Sequence, residues 1–562
     1  MLKSGDFNTT KWIYKRLRKH RIKMLILILA NVIAGALGSV MAIICKNIID
    51  TAIGQNINGV ILFALCLLGI ILIQFGLKLF CDNLQEYIRA RVCQNFQSDL
   101  LYKIEKKKYP NLSKYHSGVL MTHLFSDVGI ISSNVAGLLP TFVNVVTRLV
   151  TSLTLLFYFD TFLGTISLIA GVCGLSSIIL IRKKIKILHK DVQKQSGKLR
   201  SIMQEIVTKL LLIKIFRAED TMHQEAEKYQ ESFFKSQMKR RGYTITVNNS
   251  LGLIFKFGYL LLIIWGAVGL FNGTLTYGTL TAAIQLSSQI QDPFNTLSGF
   301  APAFAETTAS AERIIALENL ENDDFTQGIP SNLYDNLKCI ECSNISFRYD
   351  ASIHSNDNVF SNAHVTINKG DFIGITGTSG GGKSTLFYLM LGIYEPLTGE
   401  VRFCENKGNS YAPCDMARSL FSYVPQGNCL FTGTIKQNIA FFSEAIDEEK
   451  VIRSAKSACA LDFINQLPNG FDTLLGENGV GISVGQAQRV AIARAIYSEA
   501  PIMLLDEATS ALDVKTEKQL LENISHLHNK TCLIVTHRLE VLAICDRTIN
   551  ITADGKIQEQ QL

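Results

Sequence analysis

Gly377-Thr378-Ser379-Gly380-Gly381-Gly382-Lys383-Ser384 decides how this chain is read. Glycines at this density let backbone N–H groups close around phosphate oxygens. Lys383 reaches the outer phosphates, Ser384 offers its hydroxyl to Mg²⁺, and Thr385 extends the binding run. The preceding stretch Asp371-Phe372-Ile373-Gly374-Ile375-Thr376 is β-rich, and Ser384–Leu391 is apolar enough for a helix. A chance glycine turn does not come with a strand before it and a helix behind it, so the run reads as a phosphate-binding P-loop.

Further along, Ile502-Met503-Leu504-Leu505-Asp506 is an apolar strand that ends in a carboxylate, followed at once by Glu507. Asp506 suits Mg²⁺ held through water, and Glu507 is placed to orient and polarise the water that attacks a γ-phosphate. Two acids closing a buried strand need a compensating cation, and Mg²⁺ supplies one. Between these motifs, Ile482-Ser483-Val484-Gly485-Gln486 is a small-residue turn opening a helix that runs through Arg494. A helix N-terminus presents free N–H groups and a positive dipole end to an anion. Ser in that position is also a common N-cap with no ligand at all. The motif gains its weight from lying between the other two.

The N-terminal half is of another kind. A mean hydropathy of +0.20 is high for a water-soluble chain of this length, and the formal net charge is +7. Much of that charge flanks apolar runs: Lys15, Arg16, Arg18, Lys19, Arg21 and Lys23 precede the first, and Arg182, Lys183, Lys184 and Lys186 follow another. This is a positive-inside pattern, not a basic groove for nucleic acid. Met24–Cys45 is free of charge and spans about 22 residues, enough to cross a bilayer and too long for a signal peptide. Further spans read as Val60–Leu77, Val135–Phe159, Phe162–Ile181 and Leu251–Phe271, with Asp160-Thr161 as a tight turn. Mixed, helical, charged regions fill Lys78–Asn134 and Arg182–Asn249. Before the first span, Trp12, Ile13, Tyr14 and Leu17 are interleaved with basic residues, which suits either a short helix in the headgroup plane or a solvated basic tail.

A sixth span, Thr279–Phe300, is polar, with Gln285, Ser287, Ser288, Gln289, Gln291 and Asp292. Topology argues for it, because six spans put the N-terminus and the P-loop on the same side. A polar span is tolerated where it lines a water-filled path, so Gln285, Gln289 and Asp292 are read as substrate-path candidates. Arg148, inside the third span, joins them, the other reading being a span displaced by a turn or a snorkelling side chain. Lys256, near a helix end, is read as a snorkelling side chain. Of the 13 cysteines, Cys339 and Cys342 alone have ligand spacing, but a three-residue offset in a strand turns them to opposite faces. Free thiols fit a reducing compartment on the P-loop side.

Taken together, these motifs resemble the ATP-binding cassette transporters of exporter type, over nearly the whole chain. The resemblance implies an α-helical six-span transmembrane domain followed by an α/β P-loop NTPase (ABC) domain. The boundaries are read as a 1–23 elbow segment, a 24–316 membrane domain, a 317–337 linker and a 338–562 nucleotide-binding domain. It implies ATP and Mg²⁺ as cofactors, with Gln426 in Val424-Pro425-Gln426 sensing Mg²⁺ and the γ-phosphate beside Ser384 and Asp506. Tyr349 would stack on adenine, and Asp513 in Ser510-Ala511-Leu512-Asp513 belongs to the D-loop. His537 in Val535-Thr536-His537-Arg538 would hold the γ-phosphate, with Glu507 and Lys383 as its catalytic companions. Ser483, Gly485 and Gln486 would face the nucleotide of a second subunit.

The chain therefore reads as a half-transporter that pairs with itself or with a related chain, in the cell inner or plasma membrane, with N-terminus and ATPase cytoplasmic. Its partners are that second subunit, the bilayer and an unidentified substrate, with no nucleic acid. Coupling contacts are expected near Lys114–Gly118 and Leu210–Arg217. Two departures stand out: Ile-Ser-Val-Gly-Gln replaces the usual Leu-Ser-Gly-Gly-Gln, and Asn478 replaces a basic residue beside Glu477. An ATP-gated membrane regulator and a soluble ABC-type ATPase are the alternative readings. The apolar spans oppose the second, and the retained Glu507 opposes the first.

Overall fold

In the computed structural model, residues 4–323, 330, 332–349, 358–378, 380–413, 416–427, 429–476, 479, 481–527 and 530–561 are described. The chain divides into two compact units. The first comprises Met1–Tyr102 and Ser117–Asn319, and the second Lys103–His116 and Leu320–Leu562.

The first unit is helical. In chain order its elements are α1 (Ser4–Arg16), α2 (Arg21–Ile53) and α3 (Ile57–Glu105), with α4 (Tyr109–Leu112) belonging to the second unit. Then follow α5 (Ser117–Met121), a π-helical turn at Thr122–Asp127, α6 (Val128–Phe159), α7 (Thr161–Thr208), α8 (Leu210–Ile215), α9 (Glu219–Phe271) and α10 (Tyr277–Glu318). Among the described residues, four helical stretches are long and apolar enough to cross a membrane: Thr9–Ile53, Ile57–Glu105, Ser117–Phe159 and Glu219–Phe271. α10 contains the polar stretch Thr279–Phe300.

The charged regions beyond the apolar spans are in large part not separate elements, α4, α5, the π-helical turn and α8 excepted. Otherwise they continue the same helices, so that α3 runs 49 residues and α9 runs 53. The break between α6 and α7 follows from one side chain. Asp160 leaves helical geometry and its carboxylate accepts from the N–H groups of Phe162 and Leu163, capping α7.

α2, α6 and α10 pack together, and α7 packs along α9. A cluster of Ala42, Leu156, Leu163, Leu262, Ala282, Ala283, Leu286 and Ile290 holds the apolar part. Polar stitches run through the same bundle. Gln289 Nε2 donates to the Gly38 carbonyl at 2.8 Å, Asn144 Nδ2 to that of Asn31 at 3.0 Å, and the Ser39 and Thr151 hydroxyls meet at 2.8 Å. Polar groups buried among packed helices are stabilised by such partners within the protein. Nearer the α6 start, buried Asp127 accepts from His123, Ser310 and Arg313.

The second unit is α/β. Its larger sheet has six strands in the order Ile557–Gln561, Arg547–Ile551, Phe372–Gly377, Thr531–Val535, Ile502–Asp506, Phe421–Val424. All pairs are parallel except the one that Ile557–Gln561 makes with Arg547–Ile551. The inner strands Thr531–Val535 and Ile502–Asp506 are buried at every residue, as expected for a sheet covered on both faces. A smaller antiparallel sheet orders Phe360–Asn368, Leu337–Phe347, Thr398–Glu405 and Ser410–Tyr411. Cys342 lies in its core, where burial pushes the thiol up to about 12. Cys339 is also buried, in the same strand.

α4 packs within this second unit. The Tyr109 ring meets Tyr394 edge-on with centroids 6.4 Å apart, and Lys108 donates to Glu395 at 3.0 Å. Lys114–Gly118, where a coupling contact is expected, follows this helix in the chain. The other expected contact, Leu210–Arg217, contains α8, whose Leu210, Leu211, Leu212 and Ile215 are exposed.

Candidate active site

Strand register gathers the motifs. Val535 pairs with both Asp506 and Ile375, and Leu505 pairs with Val424. The carboxyl ends of four adjacent parallel strands therefore form one rim. It carries, in order, the P-loop after Gly377, Thr536-His537, Asp506-Glu507, and Pro425-Gln426. Such a rim is where open α/β sheets bind ligands.

The P-loop ends on a glycine that its surroundings require. Gly382 has φ +100°, and a Cβ there would lie 2.6 Å from Val359 Cγ1, so only glycine fits. Gly377, Thr378, Gly380 and Gly381 form the rest of the described loop; Ser379 lies outside the described residues. Lys383 begins the helix Lys383–Met390, and its ammonium donates to the carbonyls of Gly377 at 2.9 Å and Thr378 at 3.1 Å. Tyr349 is half-buried beside the same helix. Its hydroxyl shares a 2.8 Å hydrogen bond with Thr385, and burial raises its pKa.

Asp506 is 2% exposed, and burial raises its carboxyl above the ordinary range despite hydrogen bonds from Ser384 and Tyr423. The Tyr423 hydroxyl donates to Asp506 Oδ2 at 3.2 Å. A buried carboxylate with a neighbouring serine hydroxyl is a hard-oxygen donor pair suited to Mg²⁺, which retains water and phosphate ligands instead of an all-protein cage. The residues fit the ion. Beyond the strand, Glu507 has φ +50°, an uncommon backbone state for a non-glycine residue, and its carboxylate accepts from Gln426 Nε2 at 2.7 Å. Gln426 and Glu507 are thus in direct contact.

The signature turn is a complete capping box: the Ser483 hydroxyl accepts from the Gln486 N–H, and the Gln486 side chain accepts from the Ser483 N–H. Gly485 is required by its surroundings, since a Cβ would meet the Ala511 carbonyl at 2.8 Å. Val484, which with Ile482 departs from the usual pattern, is 63% exposed, so its side chain is not packed in the subunit. Asp513 caps the helix Val514–Ser525 and is held ionised by the Thr516 N–H. Exposed His537 ends the segment after Val535.

Sequence reasoning missed two side chains that organise this rim. Tyr423 sits three residues before Gln426, in a strand too short to show alternation. Arg538, next to His537, donates to the carbonyls of Leu512 at 3.1 Å and Ser510 at 3.0 Å and pairs with buried Glu517, tying the D-loop to the segment after Val535. A basic residue directly after His537 was the available signal.

In the helical unit, Arg148 Nη2 stands 3.6 Å from Asp292 Oδ2, so two of the substrate-path candidates are brought together. Gln289 is instead engaged by Gly38 and Ser152. Gln285 is half-buried one turn away, and Lys256 is exposed. Glu477 and Asn478 lie outside the described residues.

A P-loop, a buried strand-end acid, a following glutamate and a capped signature helix, in one chain with membrane-length helices, define a membrane-bound nucleoside triphosphatase. Comparison with known proteins makes this specific. Residues 24–294 match the ABC transporter transmembrane region and residues 360–510 match the ABC transporter model of the nucleotide-binding part. The chain belongs to the ATP-binding cassette transporter family, with the membrane region and nucleotide-binding domain fused in the exporter manner, and is an ATPase coupled to transport. It is 28% identical over 98% of its length to an ATP-dependent lipid A-core flippase of Syntrophus aciditrophicus (strain SB), covering 91% of that protein. It is 29% identical over 92% of its length to the ABC transporter ATP-binding protein YfiB of Bacillus subtilis (strain 168), covering 89% of that protein. Its fold matches a bacterial Atm1-family ABC exporter with ATP bound at a TM-score of 0.79, with 22% identity, 97% of this chain and 95% of the other.

Proposed function

We propose that the chain is one half of a dimeric exporter whose six spans, divided as 24–316 with a 1–23 elbow and a 317–337 linker, are driven by a 338–562 nucleotide-binding domain. One chain carries one P-loop and one signature turn. Each ATP is therefore held between the P-loop of one subunit and Ser483, Gly485 and Gln486 of the other. The exposed Val484 and exposed signature N-terminus support that reading, since this surface is not used within the subunit.

Lys383 and the loop amides hold the phosphates, and Tyr349 stacks on adenine. Ser384, Gln426 and Asp506 would hold Mg²⁺, which when bound would offset charge on the phosphate oxygens. Glu507 positions and deprotonates the attacking water, and His537 donates to the γ-phosphate. The observation that carries the proposal is the 2.7 Å contact between Gln426 and Glu507. It couples the residue that senses bound nucleotide to the residue that acts on water, so water activation waits on nucleotide arrival.

ATP binding closes the two nucleotide domains and opens the spans outward, and hydrolysis resets them. The path runs past Arg148, Asp292, Gln285 and Gln289. The N-terminus and ATPase lie in the cytoplasm. Relatives named as lipid A-core flippases favour a lipid-like cargo. The test is reconstitution in proteoliposomes with a fluorescent lipid: ATP-dependent movement of the probe between leaflets supports the proposal, and ATP hydrolysis with no net movement of any candidate cargo refutes it.

A further inference from the structure

The junction of α1 with α2 and the facing turn of α3 gather five cations. Arg18, Lys19, Arg21 and Lys23 are exposed where α2 begins, and Arg91 is exposed on α3. Lys23 lies 3.9 Å over the Tyr87 ring, Arg91 approaches the same ring at 6.0 Å, and Arg21 lies 4.5 Å over Tyr14. The charges of Lys23, Lys19 and Arg91 all act on His20, whose ring nitrogen shares a 3.3 Å hydrogen bond with Asn95. Their polar partners are neutral: Arg91 donates to Gln94 at 2.9 Å. The nearby acids are taken elsewhere, Glu86 by Arg89, and Asp99 and Glu318 by Arg16. Among the described residues, none of the five cations is ion-paired.

Like charges held together without counter-ions repel, so the site gains by receiving an anion. The next turns of α2 say which kind. Ile22, Leu25, Ile26, Leu29 and Ile33 are exposed directly beyond the cations, a bare apolar strip that suits acyl chains. Tyr14 and Tyr87 stand at the border, where amphipathic rings favour the headgroup layer.

We infer that this face binds the phosphate headgroup of an anionic phospholipid, with its acyl chains along the exposed strip of α2. The inference rests on the chain being embedded in a bilayer and not on its cargo or its dimer. A lipid seated here also bridges α1 to α3 through Tyr14 and Tyr87.

The test is native mass spectrometry of the full-length chain in detergent, titrated with phosphatidylglycerol and, separately, phosphatidylcholine. Cations near an anionic headgroup contribute roughly fivefold each, so the native chain is expected to prefer phosphatidylglycerol by about tenfold or more. R21Q/K23Q/R91Q, which leaves Arg18 and Lys19, lowers the ratio at least about fivefold, while K190Q/K194Q/K198Q, on exposed positions of α7, leaves it unchanged. Raising NaCl weakens the native preference without any substitution, which keeps the inference testable if the triple variant expresses poorly. Equal binding of both lipids by the native chain, or equal losses in both variants, overturns it. Displacement of phosphatidylglycerol by inorganic phosphate alone also overturns it, by marking a soluble-anion site.

Discussion

Replacing Glu507 by Gln separates binding from hydrolysis. The side chain keeps its length, so the φ +50° backbone is under the same constraint in both proteins. Its polar contact survives in kind, because the amide oxygen of the replacement still accepts from Gln426 Nε2, which lies 2.7 Å from the native carboxylate. Exchanging a charged acceptor for a neutral one costs about 1 kcal/mol, and water screening at half-buried Glu507 and exposed Gln426 reduces that further. The melting midpoint is therefore expected to move by no more than about 2 °C. Hydrolysis loses its proton acceptor, an effect of about 10²–10⁴-fold, or roughly 3–5 kcal/mol on the barrier. The assay is phosphate release from the chain in nanodiscs, with nucleotide affinity measured in parallel. Turnover within about threefold of the native rate would refute the assignment of Glu507 as base, whatever the affinity.

Three further outcomes follow from single contacts. Burial raises the Asp506 pKa above its unfolded value, so this group favours the folded state at low pH and that contribution is lost as pH climbs through the raised value. Asp506→Asn should therefore melt higher than the native chain at neutral pH without nucleotide, and the gap should close toward the ordinary carboxylate range; a lower midpoint contradicts this. Gly485→Ala, by driving a Cβ to 2.8 Å from the Ala511 carbonyl, should cost about 1–3 kcal/mol in denaturant unfolding and lower turnover, and a neutral result would mean the turn yields freely. Arg148→Glu puts two acids where an ion pair stood 3.6 Å apart, and should change cargo-stimulated hydrolysis more than basal hydrolysis. An unchanged stimulation profile removes Arg148 from the path.

The geometry of the candidate phosphate site was legible because its residues are local and chemically constrained. A glycine loop after a strand, two acids closing an apolar strand and a Ser opening a helix each state their geometry within a few residues. Asp160 as the break between two helices was legible for the same reason. What escaped depends on contacts between distant segments. Tyr423 reaches Asp506 across 83 positions, and nothing in Phe421–Val424 announces it. Asp127 meets Arg313 across 186 positions, and Gln289, read as facing a cavity, finds the Gly38 carbonyl 251 positions away. Where an apolar span runs directly into a charged stretch there is no boundary to signal: the same helix continues with a polar surface, as α3 and α9 do.

The central claim is that an ATP site needs the P-loop of one subunit and the signature turn of another. Lys383→Ala and Ser483→Ala chains, each inactive alone, can be given different affinity tags, co-expressed and purified as mixed dimers. In such a dimer one site combines both lesions and the other combines an intact P-loop with an intact signature. The account predicts that the mixed dimers hydrolyse ATP at about half the native rate if the two sites act independently. Mixed dimers no more active than either parent would contradict it.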